Sequence, residues 1–556
     1  MICLPKDLVS KFITGLKSGE INPDTLSSMS SAERRSFLED FVGKDAAPDV
    51  NALFESKLLL KDQQTGLVNW AKEVGGLKPE AQRDILDKIN KLDTALNPED
   101  QKSFLSDLVA KKLGTEVTLD EANKISHMAK TASDAKAAID RDSPTGSESR
   151  IAYGSAKVAM TNYLEDLKSD NPKTIGQSIK DAANIVRVVR MFGDISVLGH
   201  QSIKALFSEP TSFFSNAVDA FSNIGKEVGG ANVLDATRAD IYSRENFLNG
   251  NYQKGEGLAI VKPEEVFPEE PAEKVPGIGK IIQGNRDVYT AFEYKLRADI
   301  FDKHQDIIDA TGADPKGLAR YVNDITGRKN LGSLEPAASA INTFLYPPRL
   351  VASDFDVLTG GVTDLIKGAF GQEREMGNYA AKQMALSMVK VIGGMATIMA
   401  IANALKPGSA ETNPQSSNFG RIKVGNTAFD YSGGSGALAV LAAKLLTGKS
   451  KSTTTGKVSI LNSGKFGSET KAEVVTDFIS GRATSLGQIF VDFLNGTNYA
   501  GAKFGSPQEL ENALAPYIAS DYMEAARDPK SAPALAVLLG SMLGFFPITE
   551  TPYKKK

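Results

Sequence analysis

The sequence predicts a mainly α-helical, multi-helical fold with short helical hairpins at the N-terminus and one small β-hairpin near residues 421–431. Three observations predict it. Apolar residues recur at helical spacing over most of the 556 residues. Capping residues stand ahead of several of these segments. Alternation of polar and apolar residues around a two-residue turn, which is typical of a hairpin, occurs in one stretch only.

The N-terminal helical domain is predicted for residues 1–140, and it consists of short amphipathic helices such as the one over 85–96. Residues Thr118–Glu121 match a capping box and predict the start of another helix, because the threonine and glutamate side chains can each accept a backbone N–H bond. A short similarity links residues 36–42 to residues 103–109. It fits a duplicated helical hairpin and two independent helices equally well.

Composition divides the rest of the chain into further parts. Asp140–Arg150 is polar and rich in turn-forming residues, which indicates a boundary. The parts predicted after it are a helical region at 150–250, a Pro- and Glu-rich strap at 251–285, a helical region at 286–405 with a kink at 346–349, and a C-terminal region at 406–556 with the β-hairpin, a basic Ser/Thr-rich loop and apolar helices.

Two turn-rich segments of the C-terminal region carry candidate site residues. Gly425 and Asn426 form the two-residue turn of the predicted hairpin. Lys449, Lys451 and Lys457 lie among serines and threonines, which predicts a flexible basic loop. We expect this loop to be able to contact an anionic lipid or a nucleic-acid phosphate.

The segment 346–349 interrupts any helix, because proline lacks the backbone donor that the helix interior needs. The simple interpretation is a kink that redirects the chain. A second interpretation makes Tyr346, Pro348 and Arg349 an interface anchor, since tyrosine and arginine are enriched where binding energy concentrates.

Three stretches near the C-terminus are conspicuously apolar, namely Val391–Leu405, Ala437–Ala443 and Ala534–Phe546. Each is shorter than the roughly 20 residues that a spanning helix needs. The simpler interpretation is a set of buried core helices. The alternative is conditional membrane insertion, for which Val391–Leu405 and Ala534–Phe546 are the candidates.

Composition excludes several classes of function. The chain has 64 Lys and Arg against 68 Asp and Glu, so an extended nucleic-acid-binding surface is not expected. Cys3 is the only cysteine and the three histidines are scattered, so we predict no disulfide, metal site or cofactor. Charges near the N-terminus argue against a signal peptide. Gly448-Lys449-Ser450 is not a P-loop, because Ala443 stands where the first glycine is needed.

Several short blocks stand out between about residues 180 and 500. They are Gly193–Ser196, Val275–Gly279, Lys295–Asp299, Asn323–Arg328, Phe344–Leu350, Ser416–Thr427 and Leu446–Ser452. They resemble the C-terminal region of the large polyvalent proteins of tailed bacteriophages and prophages, that is, the large polyvalent protein associated domain family. The resemblance implies a phage product that is packaged in the head and delivered with the genome, and it carries over no catalytic residue.

We therefore expect a non-enzymatic bacteriophage protein, of the internal virion or DNA-ejection type, in the virion interior and then in the host cell envelope or cytoplasm. Expected partners are other virion proteins, further copies of the chain and the host membrane, with nucleic acid contacted at most through local basic loops. One alternative is a soluble scaffold or head–tail structural protein with no membrane role. Another is an enzyme or host-defence counter-protein that acts in the infected cell.

Overall fold

The structure is a computed structural model. It describes residues 31–44, 117–139, 147–169, 202–228, 232–260, 279–338, 348–425, 427–453, 455–464, 469–480 and 546–549, with a few single residues elsewhere. Helices make up 70% of the interpretable residues, which confirms the mainly α-helical prediction. The chain divides into two units, one of residues 1–172 with 242–244 and the other of residues 173–241 with 245–556.

The first unit contains helices α1 (Ser31–Val42), α2 (Leu119–Ala137) and α3 (Glu148–Ser169). Helices α2 and α3 pack against each other as a helical hairpin, with the Lys124 ammonium 4.1 Å from the centre of the Tyr163 ring. The predicted boundary Asp140–Arg150 overlaps the start of α3, and its residues 140–146 lie outside the described part. Helices α2 and α3 belong to the same unit, so the division between the two units does not fall at this boundary.

The predicted capping box at the start of α2 is confirmed. The Thr118 hydroxyl accepts the Glu121 N–H at 3.3 Å, and the Glu121 carboxylate accepts the Thr118 N–H at 2.6 Å. The Thr118 N–H and the Thr118 hydroxyl both donate to the Glu121 carboxylate, and these two hydrogen bonds lower the pKa of Glu121 because they favour its charged form. The segment 85–96 and most of 103–109 lie outside the described residues, so the internal similarity stays a prediction.

The remaining helices, in chain order, are α4 (Ile203–Ser208), α5 (Pro210–Val228), α6 (Val233–Ser243), α7 (Glu245–Leu248), α8 (Gly279–Thr311), α9 (Leu318–Ile325), α10 (Pro348–Ala369), α11 (Asn378–Leu405), α12 (Ser435–Thr447) and α13 (Lys471–Ser480). Short 3-10 helices occupy Asn251–Gln253 and Gly332–Ala337. Of the predicted strap at 251–285, residues 251–253 form a 3-10 helix, residues 279–285 are the start of α8, and residues 261–278 lie outside the described part of the chain.

Helices α10 and α11 form a close pair. At Gly361 a Cβ atom would lie 2.5 Å from the Ala385 backbone nitrogen, so only glycine allows the two backbones to approach this closely. The connection between the helices is closed by Asp364, whose carboxylate accepts the Met376 N–H at 2.8 Å. Pro348 is the first residue of α10, a position where the missing N–H is not needed.

The predicted hairpin is present as antiparallel strands β1 (Ile422–Val424) and β2 (Thr427–Asp430). Gly425 has a φ of +63°, which suits glycine at the first turn position, and Asn426 lies outside the described residues. A further strand, β5 (Phe546–Thr549), pairs with β2 to give the order β1-β2-β5. The apolar stretch predicted to end at Phe546 thus ends in a strand, and its other residues lie outside the described part. An edge strand leaves one row of its backbone groups unpaired. Pro547, which has no backbone N–H, is therefore compatible with β5.

A second hairpin corrects the predicted basic loop. Strands β3 (Lys449–Lys451) and β4 (Val458–Ile460) pair antiparallel, so the segment from Lys449 to Lys457 is a strand and its turn. The sequence does not show it, because the middle pair of this hairpin consists of two serines and gives no apolar alternation. Gly448, part of the rejected P-loop pattern, has a φ of +64° and ends α12.

Candidate functional site

Helix α11 carries the most conspicuous surface of the described chain. It has 28 residues, and its most apolar 18-residue window has a mean hydropathy of 1.8 with only 22% of the window buried. By length and composition it is the one helix among the described residues that could cross a membrane. Its exposed large apolar side chains are Leu386, Val389, Ile392, Ile401 and Leu405. Val391–Leu405 is therefore buried on one side only, where Val391, Met395 and Met399 join the core.

Polar contacts anchor the first half of α11 to the protein. The Tyr379 hydroxyl lies 2.6 Å from Nδ1 of His304, and Nε2 of the same ring lies 3.1 Å from a Glu209 oxygen. About three turns further on, the Lys390 ammonium donates to the Ser208 carbonyl at 2.7 Å. These contacts fix which side of α11 faces inward.

Glu209 is the charged centre of this anchor. Burial alone would raise its pKa, but hydrogen bonds from His304 and Lys303, with the charges behind them, outweigh burial and hold the pKa at about 2. The Tyr321 hydroxyl adds a third contact to the same carboxylate and also meets Ser387 of α11 at 3.3 Å. The site therefore holds an ionised carboxylate over most of the pH range.

Apolar contacts anchor the second half of α11. Its inward residues join a buried cluster made of Val391, Met395, Met399, Ala410 and Tyr431. Ile398 packs partly buried against this cluster. The Tyr431 hydroxyl donates to the Met395 carbonyl at 3.0 Å, and burial raises the pKa of that tyrosine. The first hairpin thus packs against the inner side of α11 and leaves its outer side open.

The adjacent glycines of α11 mark the two sides. A Cβ on Gly394 would overlap the Phe207 ring of α4, whereas a Cβ on Gly393 would meet no atom within 4 Å. The glycine pair therefore permits close contact on one side only, at α4.

The predicted basic residues occupy the second hairpin. The Lys451 ammonium lies 2.6 Å from the Glu411 carboxylate. Burial raises the pKa of Glu411, but the hydrogen bond from Lys451 contributes to a net lowering. Lys449 and Lys457 are exposed, and neither forms a salt bridge within the described part of the chain.

The other predicted site residues have structural contacts or lie outside the description. Arg349 donates to Glu335 at 2.7 Å, so its charge is matched within the protein. Tyr346 lies outside the described residues. Arg349 thus contacts Glu335, and Lys451 of the second hairpin contacts Glu411, so each of these predicted residues is matched by a different carboxylate.

Sequence reasoning missed a pair of carboxyl groups at α9 and α10. Arg320 forms a two-point contact with Asp356, and Lys329 adds an ammonium at 2.6 Å. Burial raises the pKa of Asp356, but the hydrogen bonds from Asp324 and Lys329 and the charges of both cations hold it at about 2. Burial, and then the contact with Asp356, raise the pKa of Asp324 well above its usual range.

This carboxyl pair ties two helices together. Neither Asp324 carboxyl oxygen accepts a hydrogen bond, and the raised pKa of Asp324 favours its protonated form beside the ionised Asp356. Asp324 is fully buried, and a catalytic group has to touch its substrate. Spacing in the sequence gives no signal for the pair, because Asp324 and Asp356 lie on different helices.

Two of the blocks that carry the family resemblance meet in the core. Arg297 of α8 donates from Nε to the Thr326 hydroxyl at 2.9 Å and forms a fully buried ion pair with Glu293 at 3.0 Å. Asn323 accepts the Ala259 N–H at 2.9 Å. The residues of these two blocks therefore hold the fold together.

Among the described residues, no group of three or more His, Cys, Asp or Glu side chains is placed to hold a metal ion. No protein family, curated protein or solved structure was found to match this chain. We therefore argue function from the geometry of the chain's own residues.

Proposed function

We propose that this chain is a non-enzymatic structural protein of a bacteriophage particle, that it travels with the genome, and that it binds the host membrane through the outer side of α11. The observation that supports this proposal is the long apolar helix whose outer side is open to solvent. Soluble proteins rarely expose a contiguous apolar surface of this kind unless it has a partner.

Helix length favours a position in the membrane interface. The 28 residues of α11 extend about 42 Å, but the uncharged part from Val391 onward extends only about 22 Å. The hydrocarbon core of a bilayer is about 30 Å thick. Because the inner side of α11 is anchored to the protein, the helix contacts a bilayer through its outer side and lies in the interface plane.

The expected affinity follows from the exposed side chains. Complete burial of one large aliphatic side chain contributes about 1.5–3 kcal/mol. The five outer residues of α11 are on average more than half exposed, so their transfer contributes on the order of 5 kcal/mol in total. A contribution of this size supports reversible association, comparable to that of one acyl chain.

Liposome co-sedimentation of the full chain tests the membrane role. Ile392→Lys and Ile401→Lys place a charge on the outer side and should abolish co-sedimentation. Gln253→Lys adds the same charge at an exposed position far along the chain and should bind like the unmodified protein. A substitution at Ile398 is unsuitable, because this residue packs against the buried cluster. Unchanged binding of both α11 variants would refute the proposal.

Mass spectrometry of DNA-filled particles and of ghosts that have ejected their DNA tests the virion role. A protein delivered with the genome is present in filled particles and lost from ghosts. A protein that stays in ghosts is a fixed structural part, and the outer side of α11 is then covered by neighbouring subunits. Absence from both would contradict a virion role.

A further inference from the structure

The second hairpin turns its polar face toward the protein and its apolar face toward solvent. Lys449 pairs with Ile460, Ser450 with Ser459, and Lys451 with Val458. Because successive side chains of a strand point to opposite faces, the two serines share one face and the other four residues share the second. Ser450 is 4% exposed, whereas the two β4 aliphatics are 51% and 64% exposed. A hairpin packed on a protein usually turns its apolar face inward.

Backbone hydrogen bonds hold this orientation. The Lys451 N–H donates to the Gln415 carbonyl at 3.0 Å, and the Leu461 N–H donates to the Gly448 carbonyl at 2.8 Å. A one-residue slip would turn every side chain over, but it would also break the pairing of β3 with the 410–420 segment. The outward aliphatic face is therefore built into the fold.

The outer face of the hairpin combines aliphatic and cationic groups. Lys449 shares this face with the aliphatics of β4, and Lys457 stands next to Val458. Leu446, three residues before Lys449, is 87% exposed. Exposed aliphatics beside ammonium groups match a partner with anionic groups above an apolar layer.

We propose that the outer face of the second hairpin, formed by Lys449, Val458 and Ile460 with Lys457 next to them, binds anionic lipid headgroups. The Lys451 ammonium is already paired with Glu411 and is not part of this contact. This inference rests on the proposed membrane role of α11 and supplies its second contact. Lysines pair with lipid phosphates and carboxylates while the aliphatics enter the headgroup boundary. Stable anchoring usually needs two such signals, one apolar and one basic.

Phosphate alone does not account for this face. A nucleic-acid backbone would use the ammonium groups and leave Val458 and Ile460 in water. An acidic protein surface could use the lysines, and it would need aliphatic groups of its own at matching positions. A bilayer that contains anionic lipid has charged headgroups above an apolar layer at every position on its surface. We therefore assign such a bilayer as the occupant.

The test compares binding of the full chain to phosphatidylcholine vesicles with binding to vesicles that also contain phosphatidylserine. The unmodified chain should prefer the phosphatidylserine vesicles, and added salt should reduce the preference. The double variant Lys449→Gln/Lys457→Gln should weaken binding to those vesicles roughly thirtyfold. The matched control Lys44→Gln/Lys254→Gln changes charge equally at exposed positions elsewhere and should weaken binding much less.

A second double variant, Val458→Ser/Ile460→Ser, tests the aliphatic part. Both side chains are exposed, so the circular dichroism spectrum should not change while vesicle binding weakens. If both hairpin variants bind like the unmodified chain while Ile392→Lys still abolishes binding, the hairpin inference is refuted and the role of α11 stands. If the unmodified chain binds neither vesicle type, the proposed function itself fails. Capture of an acidic polypeptide through these lysines, without lipid preference, would also overturn the inference.

Discussion

The orientation of α11 decides which of its sides is free, and its two adjacent glycines test that orientation directly. Gly394 faces the Phe207 ring, where an added Cβ would overlap ring carbons, and Gly393 faces open space. The substitutions Gly393→Ala and Gly394→Ala add the same methyl group to neighbouring positions of one helix. Any difference between them reports the packing of α11 and not its helix propensity.

The two effects have opposite signs. Alanine is more favourable than glycine inside a helix by about 1 kcal/mol, so Gly393→Ala should raise the free energy of unfolding by about that amount. Gly394→Ala gains the same propensity but has to displace the Phe207 ring, and overpacking typically costs about 1–3 kcal/mol. We expect the two variants to differ by about 1–3 kcal/mol, with Gly394→Ala the less stable.

Urea unfolding of both variants, followed by circular dichroism, measures this difference. Because the chain has two units, the transition that includes α11 is identified by hydrogen exchange of α11 peptides. Equal stabilisation by both substitutions would refute the reasoning. It would show that the side of α11 carrying Gly394 does not pack on α4, and the assignment of the outer side would fail with it.

Two further predictions concern the buried charges. Arg297→Met leaves the Glu293 carboxylate buried without the arginine charge and should lower the free energy of unfolding in urea by about 3–5 kcal/mol. The double variant Arg297→Met/Glu293→Met should recover most of that loss. Equal losses in the two variants would contradict this prediction. The pKa of Glu209 is lowered from 4.5 to about 2, so its contribution to stability is present above pH 4.5 and is lost as the pH falls toward 2. Melting temperatures across this range should fall less steeply for Glu209→Gln than for the unmodified chain, and parallel curves would show that Glu209 is not responsible.

Local signals in the sequence predicted local structure correctly. The capping box at Thr118 and the hairpin turn at Gly425 depend on residues a few positions apart, and the structure confirms both. The mainly helical class follows from periodicity in the same way. Each of these features is determined by residues that are close together in the sequence, so it can be predicted without knowledge of the tertiary packing.

Features that depend on distant residues were missed. Strand β5 joins β2 from more than a hundred residues away, and Lys390 of α11 meets Ser208 across 182 positions. The same holds for Asp324, whose pKa is raised by burial and then by the Asp356 carboxyl group on another helix. Hydropathy marks α11 as apolar, but burial depends on partners that a pattern within the helix does not contain.

The lysines of the second hairpin lie in a different local structure from the one that the sequence predicts. Lys449, Lys451 and Lys457 were selected as parts of a flexible loop, and they lie on a paired hairpin and its turn. A loop would offer charge alone. The hairpin places Val458 and Ile460 on the same face as Lys449, and this combination favours an anionic lipid over a nucleic-acid phosphate, the two partners expected from the sequence.

The polar contacts that hold α11 to the protein also favour a position of this helix on the membrane surface over a transmembrane position. To cross, the helix would have to leave the contacts of Tyr379 with His304 and of Lys390 with Ser208. Each broken contact leaves a buried polar group at a cost of about 1–3 kcal/mol, and the inner methionines would lose the first hairpin as well. The outer side of α11 contributes on the order of 5 kcal/mol on entering the interface without breaking any of these contacts. Surface binding therefore keeps both sets of interactions, and we expect vesicle-bound protein to retain the hydrogen-exchange protection of the inner side of α11.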